Sequence, residues 1–543
     1  MPYLFTIRLP IVGDLSKYAQ YTLCLIAMSD LPSWLSDRCA GVLLHITSLP
    51  SSFGVGALGN GAKRWIDFLA DAGFRFWQTC PVGPTGFGDS PYQVFSSSAG
   101  NPYFIDWDEI VDLGYIQKSE LSVLEQLPCE QVDYAKLYEL FDPLLRTAFV
   151  GFQENPHLLE SKYGSLDSFI NIHADWLYPY TAYQLLKYKN ELNPWWKWPE
   201  QDRSSSPELI KALNQPTDPD CLYIYFQQFL FRAQWKNIRS YAQKKGISII
   251  GDLPIYVAPD SADAWAEPSL FQIDPNLHFQ AVAGVPPDYF NEDGQYWGNP
   301  LYDWPIHERE DYRWWTARIS DQLDLFDILR IDHFRAFHDY WSIPATAKHG
   351  KEGMWMDGPD EKFWQHIGAA FPHLPFLAED LGEIHEGVRT LRTKFGLPGM
   401  AVLQFAFSGE AENLYLPHNL TEDLVLYTGT HDNDTAVGWY NASSEQTRSN
   451  FRRYFNVSGD APGWEMLRQA YRSVSTLVIV QTQDLLSLGT EARFNKPGHE
   501  QGNWKWRMTS EQLNRLWQDS SSYLREQALL TGRLCPNLDD QSL

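Results

Sequence analysis

Eight apolar runs of strand length recur along this chain, and helical patterns separate them. Between the first two runs, residues 62–72 bring Trp65, Phe68 and Leu69 onto one side of a helix. Strands that alternate with helices form parallel βαβ units. Eight such units predict an α/β fold, the (β/α)8 TIM barrel. The runs lie at residues 41–45, 75–80, 247–254, 327–332, 375–380, 400–407, 424–427 and 476–480.

Two long insertions interrupt this alternation. Residues 101–240 are mainly helical in pattern, and residues 258–310 are dense in proline, glycine and aromatic residues. Loops of such length inside a compact unit are usually lids or binding loops, so we expect both insertions to lie on the C-terminal face of the barrel. The catalytic barrel spans residues 40–530 and ends in a helix, and residues 531–543 form a frayed tail.

The amino terminus and the cysteines bear on where the protein works. Residues 1–39 are an N-terminal extension of uncertain status, because their apolar octet lacks the cleavage site of a signal peptide. A start at Met28 is the open alternative to a targeting segment. The six cysteines are scattered, with no CxxC pair, which predicts a reduced, cytoplasmic protein. No apolar run approaches the length of a membrane span.

The run at 327–332 ends in a charged pair. Side chains alternate faces along a strand, so Arg330 and Asp332 point the same way. A neighbouring arginine favours an ionised carboxylate. A carboxylate at the end of a strand suits a nucleophile that attacks a sugar carbon. A purely structural Arg–Asp pair is the alternative.

Four carboxylates close the third, fourth, fifth and seventh runs, and strand ends of a TIM barrel converge on one face. A calcium or magnesium site is one interpretation, but Arg330 and His431 would compete with a cation. A pair of acids for glycoside chemistry fits better, since burial and neighbouring charge would raise the pKa of Glu379. The four carboxylates are Asp252, Asp332, Glu379 and Asp432.

Composition limits the ligand class. The net charge of -25 argues against nucleic acid or an anionic membrane as partner. A neutral ligand is compatible with that charge. Aromatic residues make up 15% of the chain, including 22 Trp and 28 Tyr, and their rings can stack on the apolar faces of sugars.

Sequence motifs that follow one another in a characteristic order cover nearly the whole chain, from Gly41 to Arg507. They are HITSLPSSFGVGALG, GDSPYQ with AGNP, GDLPIYV, GVPPDYF with YWGNPLYDW, LRIDHFR, FLAEDLG, GTHDNDT and GNWKWR. On these motifs the chain resembles the amylomaltases, the 4-α-glucanotransferases (disproportionating enzymes) of glycoside hydrolase family 77 in the α-amylase clan. It departs from the family pattern at Ile46, Ser98 and Ala336, none of which is a charged catalytic group.

The resemblance implies a role for each motif residue. Asp332 would be the nucleophile, Glu379 the acid/base and Asp432 the stabiliser of the transition state. Arg330 and His431 would contact the sugar beside the cleaved bond. The remaining residues are implied to line the groove (Tyr92, Asp252, Asn299 and Asn503) or to sit on a loop that covers it (Tyr289, Phe290 and Trp297).

The resemblance also implies the ligands. The partners would be α-1,4-glucans and malto-oligosaccharides, with glucose as an acceptor and with no cofactor and no metal. A hydrolytic α-amylase relative, with water as acceptor, is one alternative. A glucan-binding protein on an inactive barrel is another, although the three intact acids argue against it.

Overall fold

The computed structural model describes residues 31–86, 88–287, 292–382, 384–499 and 501–534. Most of the predicted N-terminal extension, the tail beyond residue 534, and Tyr289 and Phe290 lie outside these ranges. Within the ranges the strands are, in chain order, β1 (Cys39–Leu43), β2 (Phe76–Gln78), β3 (Ser248–Leu253), β4 (Ala281–Val285), β5 (Gln295–Pro300), β6 (Ile328–Ile331), β7 (Asp339–Pro344), β8 (Met354–Asp357), β9 (Phe376–Ala378), β10 (Gly399–Val402), β11 (Leu424–Tyr427) and β12 (Leu477–Gln481).

Helices separate most of these strands. They are α1 (Asn60–Asp71), α2 (Trp107–Asp112), α3 (Tyr134–Glu154), α4 (Pro156–Tyr163), α5 (Leu166–Ile172), α6 (Ala174–Lys189), α7 (Glu200–Arg203), α8 (Pro207–Leu213), α9 (Pro219–Lys244), α10 (Ala262–Ala266), α11 (Trp304–Arg309), α12 (Arg313–Leu325), α13 (Asp360–Ala370), α14 (Glu386–Lys394), α15 (Ala436–Ala442), α16 (Glu445–Phe455), α17 (Pro462–Arg472), α18 (Thr482–Leu485) and α19 (Ser510–Leu530). Among the described residues, no helix is both long and apolar enough to cross a membrane.

Eight strands form one parallel sheet in the order β10-β11-β12-β1-β2-β3-β6-β9. The backbone N–H of Ala378 in β9 donates to the carbonyl of Pro398, immediately before β10, at 2.8 Å. This bond closes the sheet into a barrel. Every residue of β1 and β12 is buried, as expected of strands covered on both faces. The eight strands are those predicted from the apolar runs, and the (β/α)8 barrel is confirmed.

The first insertion ends earlier than predicted. The predicted boundary at residue 240 falls inside α9, which packs against α1 and β3. The indole N–H of Trp235 donates to the carbonyl of Leu325 at 2.7 Å, which ties α9 to the end of α12. Helix α9 therefore belongs to the helical layer of the barrel. Its sequence does not separate it from the insertion, because its apolar residues cover several sides of the helix.

A second, four-stranded antiparallel sheet lies in the order β5-β4-β7-β8. The predicted insertion at 258–310 supplies β4 and β5, whereas β7 and β8 come from the chain that follows β6. Strands β7 and β8 were not among the eight predicted strands. This sheet places Trp297 and Asn299 on β5.

Both predicted terminal boundaries need correction. Residue 39, predicted to end the extension, is the first residue of β1, and Leu35 before it is fully buried. At the other end, the predicted tail at 531–543 begins with an ordered turn. Gly532 has φ +67°, and Arg533 donates its backbone N–H to Ala528 at 2.7 Å, which is a Schellman helix ending.

That turn directs the Arg533 side chain into the barrel. The guanidinium is fully buried and donates to the carbonyls of Cys39 and Thr476 at 3.0 Å each and of Ser475 at 2.8 Å. Cys39 begins β1, and Thr476 immediately precedes β12, so Arg533 joins the N-terminal ends of these strands. The segment 531–534 is therefore part of the barrel and is not frayed.

Candidate active site

Arg330 stands at the centre of the charged cluster at the C-terminal end of the strands. Its Nη1 donates to both carboxylate oxygens of Asp252 at 2.8 Å and to Oδ1 of Asp332 at 2.9 Å. Asp252 and Arg330 are direct neighbours in the register of β3 and β6. Arg330 is buried, whereas the Asp332 side chain keeps 28% of its surface exposed. Arg330 and Asp332 therefore share a face, as predicted, and a substrate can reach the Asp332 carboxylate.

Glu379 follows β9 and is bound to the loop that carries Asp332. The backbone N–H groups of His333 and Leu381 donate to its two carboxylate oxygens at 2.7 and 3.1 Å. Burial raises the pKa of Glu379 to about 7, and the charge of Asp332 adds to the rise, while Arg330 opposes it. The predicted direction is confirmed. Glu379 can hold a proton near neutral pH, as a general acid must.

Asp432 has the opposite environment. His431 Nε2 lies 3.3 Å from Oδ2, and Asn495 Nδ2 donates to Oδ1 at 2.6 Å. Burial alone would raise the pKa of Asp432, but the charge and hydrogen bond of His431 and the bond from Asn495 lower it to about 2. Burial lowers the pKa of His431, and the neighbouring Asp432 raises it more, so the net shift is upward. Each partner therefore stabilises the charged form of the other.

The rings of Tyr92 and Trp504 pack against His431 of this pair. Tyr92 stacks on His431 with ring centroids 4.7 Å apart, and its hydroxyl donates to Asp252 Oδ2 at 2.8 Å. The ring of Trp504 lies 5.8 Å from His431 and 6.2 Å from His45. Burial, with the nearby His431, lowers the pKa of His45 to about 3. His45 is therefore neutral and offers no second charge beside the site.

The other predicted groove residues lie at different distances from this network. Trp297 meets the ring of His333 edge to face, at 5.0 Å and 81°. Asn299 is buried, donates to the carbonyl of Val257 at 2.8 Å and accepts from Gln93 at 3.3 Å. Both polar ends of its side chain are thus engaged by the protein. Tyr289 and Phe290 lie outside the described residues.

Asn503 and Asn495 belong to the same stretch of chain but act on different groups. The Asn503 amide accepts from the Lys496 backbone N–H at 3.0 Å and donates to the His499 carbonyl at 2.8 Å. Both hydrogen bonds therefore stay within the segment that leads to Asn503. The residue of this region that binds a carboxylate of the charged cluster is Asn495, which donates to Asp432 and was not predicted from the sequence. His45 and Trp504 were also missed as site residues, although both lie in quoted motifs.

The assembled site can supply acid/base chemistry at a neutral ligand. It combines an accessible carboxylate bound by Arg330, a protonated acid at Glu379 and an ionised carboxylate at Asp432. Two titratable groups whose surroundings push their pKa values apart identify the acid and the base of a mechanism. Within the described ranges, no group of three or more His, Cys, Asp and Glu side chains is arranged to hold a metal ion.

Known proteins resemble this chain in sequence and in fold. A sequence model of 4-alpha-glucanotransferases, glycoside hydrolase family 77, matches residues 44–513. A 4-alpha-glucanotransferase of Thermus thermophilus is 43% identical over 506 residues, which are 92% of this chain and 99% of the relative. One from Synechocystis sp. is 42% identical over 497 residues, 91% and 98% of the two chains.

A solved structure agrees. The amylomaltase from Streptococcus agalactiae in complex with acarbose superposes with a TM-score of 0.87 at 35% identity, over 92% of this chain and 100% of that one. This chain is therefore a member of the 4-alpha-glucanotransferase (amylomaltase) family.

Proposed function

We propose that the enzyme transfers a segment of an α-1,4-glucan to the 4-hydroxyl of glucose or of another α-1,4-glucan by a retaining double displacement. The observation that carries this proposal is the pairing of an accessible Asp332 carboxylate, bound by Arg330, with Glu379, whose pKa is raised to about 7. A retaining mechanism needs one carboxylate as nucleophile and one carboxyl group as acid.

In the first step, a carboxylate oxygen of Asp332 bonds to the anomeric carbon. The bond from that carbon to the glycosidic oxygen breaks, and Glu379 gives its proton to the departing oxygen. The reducing-end fragment leaves, and a glycosyl ester remains on Asp332. The ionised Asp432, held by His431 and Asn495, stabilises the positive charge that develops on the sugar ring.

In the second step, the Glu379 carboxylate takes the proton from the 4-hydroxyl of the acceptor. The acceptor oxygen bonds to the anomeric carbon, and the bond to Asp332 breaks. Two inversions restore the α configuration, and Glu379 is protonated again. Each cycle breaks one α-1,4 bond and makes one, so no oxidant, metal or cofactor enters the balance.

Groove recognition belongs to the same proposal. Arg330 and His431 would contact the sugar beside the cleaved bond, and Tyr92, Asp252, Asn299 and Asn503 would line the groove. Tyr289, Phe290 and Trp297 would sit on the covering loop. The edge-to-face contact of Trp297 with the residue that follows Asp332 supports the last of these roles.

Hydrolysis is the second candidate, because water can attack the same ester. Aromatic area beside the ester favours a sugar acceptor, since it stacks on the sugar and displaces water. Incubation with maltotriose separates the two. Transfer gives glucose and a ladder of longer maltodextrins at a constant number of reducing ends. A steady rise in reducing ends without longer chains would contradict the transfer mechanism.

A further inference from the structure

His333, which follows Asp332, has an unusual backbone. It adopts the left-handed conformation, with φ 51° and ψ 50°, which is uncommon for a residue other than glycine. The chain reverses there, so that two consecutive N–H groups reach residue 379. His333 donates to Glu379 Oε2 at 2.7 Å, and Phe334 donates to the Glu379 carbonyl at 3.0 Å. The turn therefore holds Glu379, the proposed acid/base, against the loop that follows Asp332.

The side chain of His333 makes a second attachment. Its ring meets the indole of Trp297 edge to face, at a centroid distance of 5.0 Å. The indole is also held from its own strand, since Trp297 Nε1 donates to Gln295 Oε1 at 3.1 Å. Burial lowers the pKa of His333 to about 4, so the ring is neutral and contacts Trp297 as an aromatic group.

We propose that His333 is a positioning residue that couples Trp297 to Glu379 and thereby favours a sugar acceptor over water. This inference rests on the proposed function. His333 holds Glu379 through its backbone N–H and contacts Trp297 through its ring. When the ring contact is present, His333 holds Trp297 at the loop that binds Glu379, and the indole excludes water from the acceptor side of the ester. When it is lost, water competes with the sugar 4-hydroxyl for the same base.

The test compares the fate of the ester in matched variants. His333→Asn removes the ring, while asparagine tolerates the left-handed backbone. His333→Phe keeps an aromatic ring at the same position. Trp297→Ala removes the other partner, and the double variant completes the cycle. His278→Asn is the control, because that histidine is 77% exposed and lies outside the network.

The measured quantity is the hydrolysed fraction, that is, new reducing ends per glycosidic bond cleaved in maltotriose. We expect a severalfold rise in His333→Asn and a return towards the wild-type fraction in His333→Phe. Trp297→Ala should show a similar rise, and the double variant should not exceed the larger single effect. Equal fractions in wild type and His333→Asn, or additive effects in the double variant, would overturn the coupling.

The pH profile gives a second readout. The charged and titratable groups that face Glu379 are Arg330 and Asp332, with Tyr415 and Tyr427 from neighbouring elements. Since His333→Asn retains the backbone N–H, the basic limb of kcat/KM should stay in place. A shifted limb with an unchanged hydrolysed fraction would overturn the inference. A wild-type enzyme that gains a reducing end at every turnover would instead refute the proposed transfer.

Discussion

At the scale of the residue, three carboxyl groups in one pocket differ because their neighbours differ. Glu379 is half-buried against the loop that follows Asp332, and its pKa is about 7. Asp432 faces His431 and Asn495, and its pKa is about 2. Asp332 is bound by Arg330 and remains partly exposed. These different surroundings support the proposed roles of Glu379 as acid, Asp432 as electrostatic stabiliser and Asp332 as nucleophile.

Removing Asp332 and removing Glu379 should leave distinct defects. Asp332→Asn should abolish turnover of every donor, because no ester can form. Glu379→Gln should slow glucan turnover by about 10²–10⁴-fold, and a glycosyl fluoride should partly restore the first step, because fluoride needs little protonation to leave. Mass spectrometry of the trapped enzyme locates the sugar. A sugar found on a residue other than Asp332 would refute the assignment.

The raised pKa of Glu379 sets the direction of the pH dependence. Its carboxyl is protonated below about pH 7 and ionised above it, and bond cleavage requires the protonated form. We therefore expect kcat/KM for maltotriose to fall as the pH rises through about 7. With a glycosyl fluoride donor, the first step should lack this fall. A glucan profile that stays flat to about pH 9 would show that Glu379 is not the acid.

Asn495 offers a test of the Asp432 environment. Asn495→Ala removes the donor 2.6 Å from Asp432 Oδ1, so the pKa of Asp432 should rise towards its ordinary range. A hydrogen bond to a charged group is worth about 1.5–3 kcal/mol, which corresponds to a rate loss of roughly 10–100-fold. Steady-state kinetics on maltotriose measure this loss. Asn237→Ala, at an exposed position on α9, should leave the rate unchanged, and an equal loss in both variants would refute the role.

At the scale of the element, the end of α19 is connected to two barrel strands through Arg533. The Schellman turn at Gly532 directs Arg533 onto the ends of β1 and β12, where its buried guanidinium donates to the carbonyls of Cys39, Ser475 and Thr476. These contacts lie at the end of the barrel opposite to the catalytic acids. The contacts of Arg533 therefore contribute to the stability of the fold and not to catalysis.

Arg533→Met should lower the stability of the fold by about 3–5 kcal/mol, because it removes several buried hydrogen bonds between the guanidinium and backbone carbonyls. Denaturant unfolding measures the change. Activity per folded molecule should be retained. Arg515→Met, on the same helix, removes only an exposed pair with Glu511 and should change stability by less than about 1 kcal/mol. Equal losses in the two variants would show that the buried contacts contribute nothing.

At the scale of the whole molecule, the net charge of -25 should have little effect on catalysis if the substrate is neutral. Long-range fields steer charged ligands, and salt screens them within about 10 Å at 0.1 M. We expect kcat/KM for maltotriose to change by less than about twofold between low and moderate ionic strength. A steep salt dependence would indicate a charged substrate and would contradict the glucan assignment.

Sequence patterns predicted the barrel because its strands are buried on both faces and read as continuous apolar runs. They predicted the acids because carboxylates closed those runs. They did not predict β7 and β8. Three of the four residues of β8 are apolar, but all four are exposed, so the strand carries no alternation between a buried apolar face and an exposed polar face. Neutral site residues such as Asn495 and His45 carry no signal of their own. Their roles depend on contacts between distant parts of the chain.

The contact of Arg533 with β1 also has a consequence for how the protein is made. The arginine and the Cys39 carbonyl that it binds are separated by 494 positions, and β1 pairs along its length with β12. During synthesis the first strand waits roughly 25–100 s for these partners at ordinary elongation rates. Until then the nascent chain exposes an unpaired, wholly apolar strand edge. Growing chains of this protein should therefore depend on chaperones at the ribosome more than the finished enzyme does.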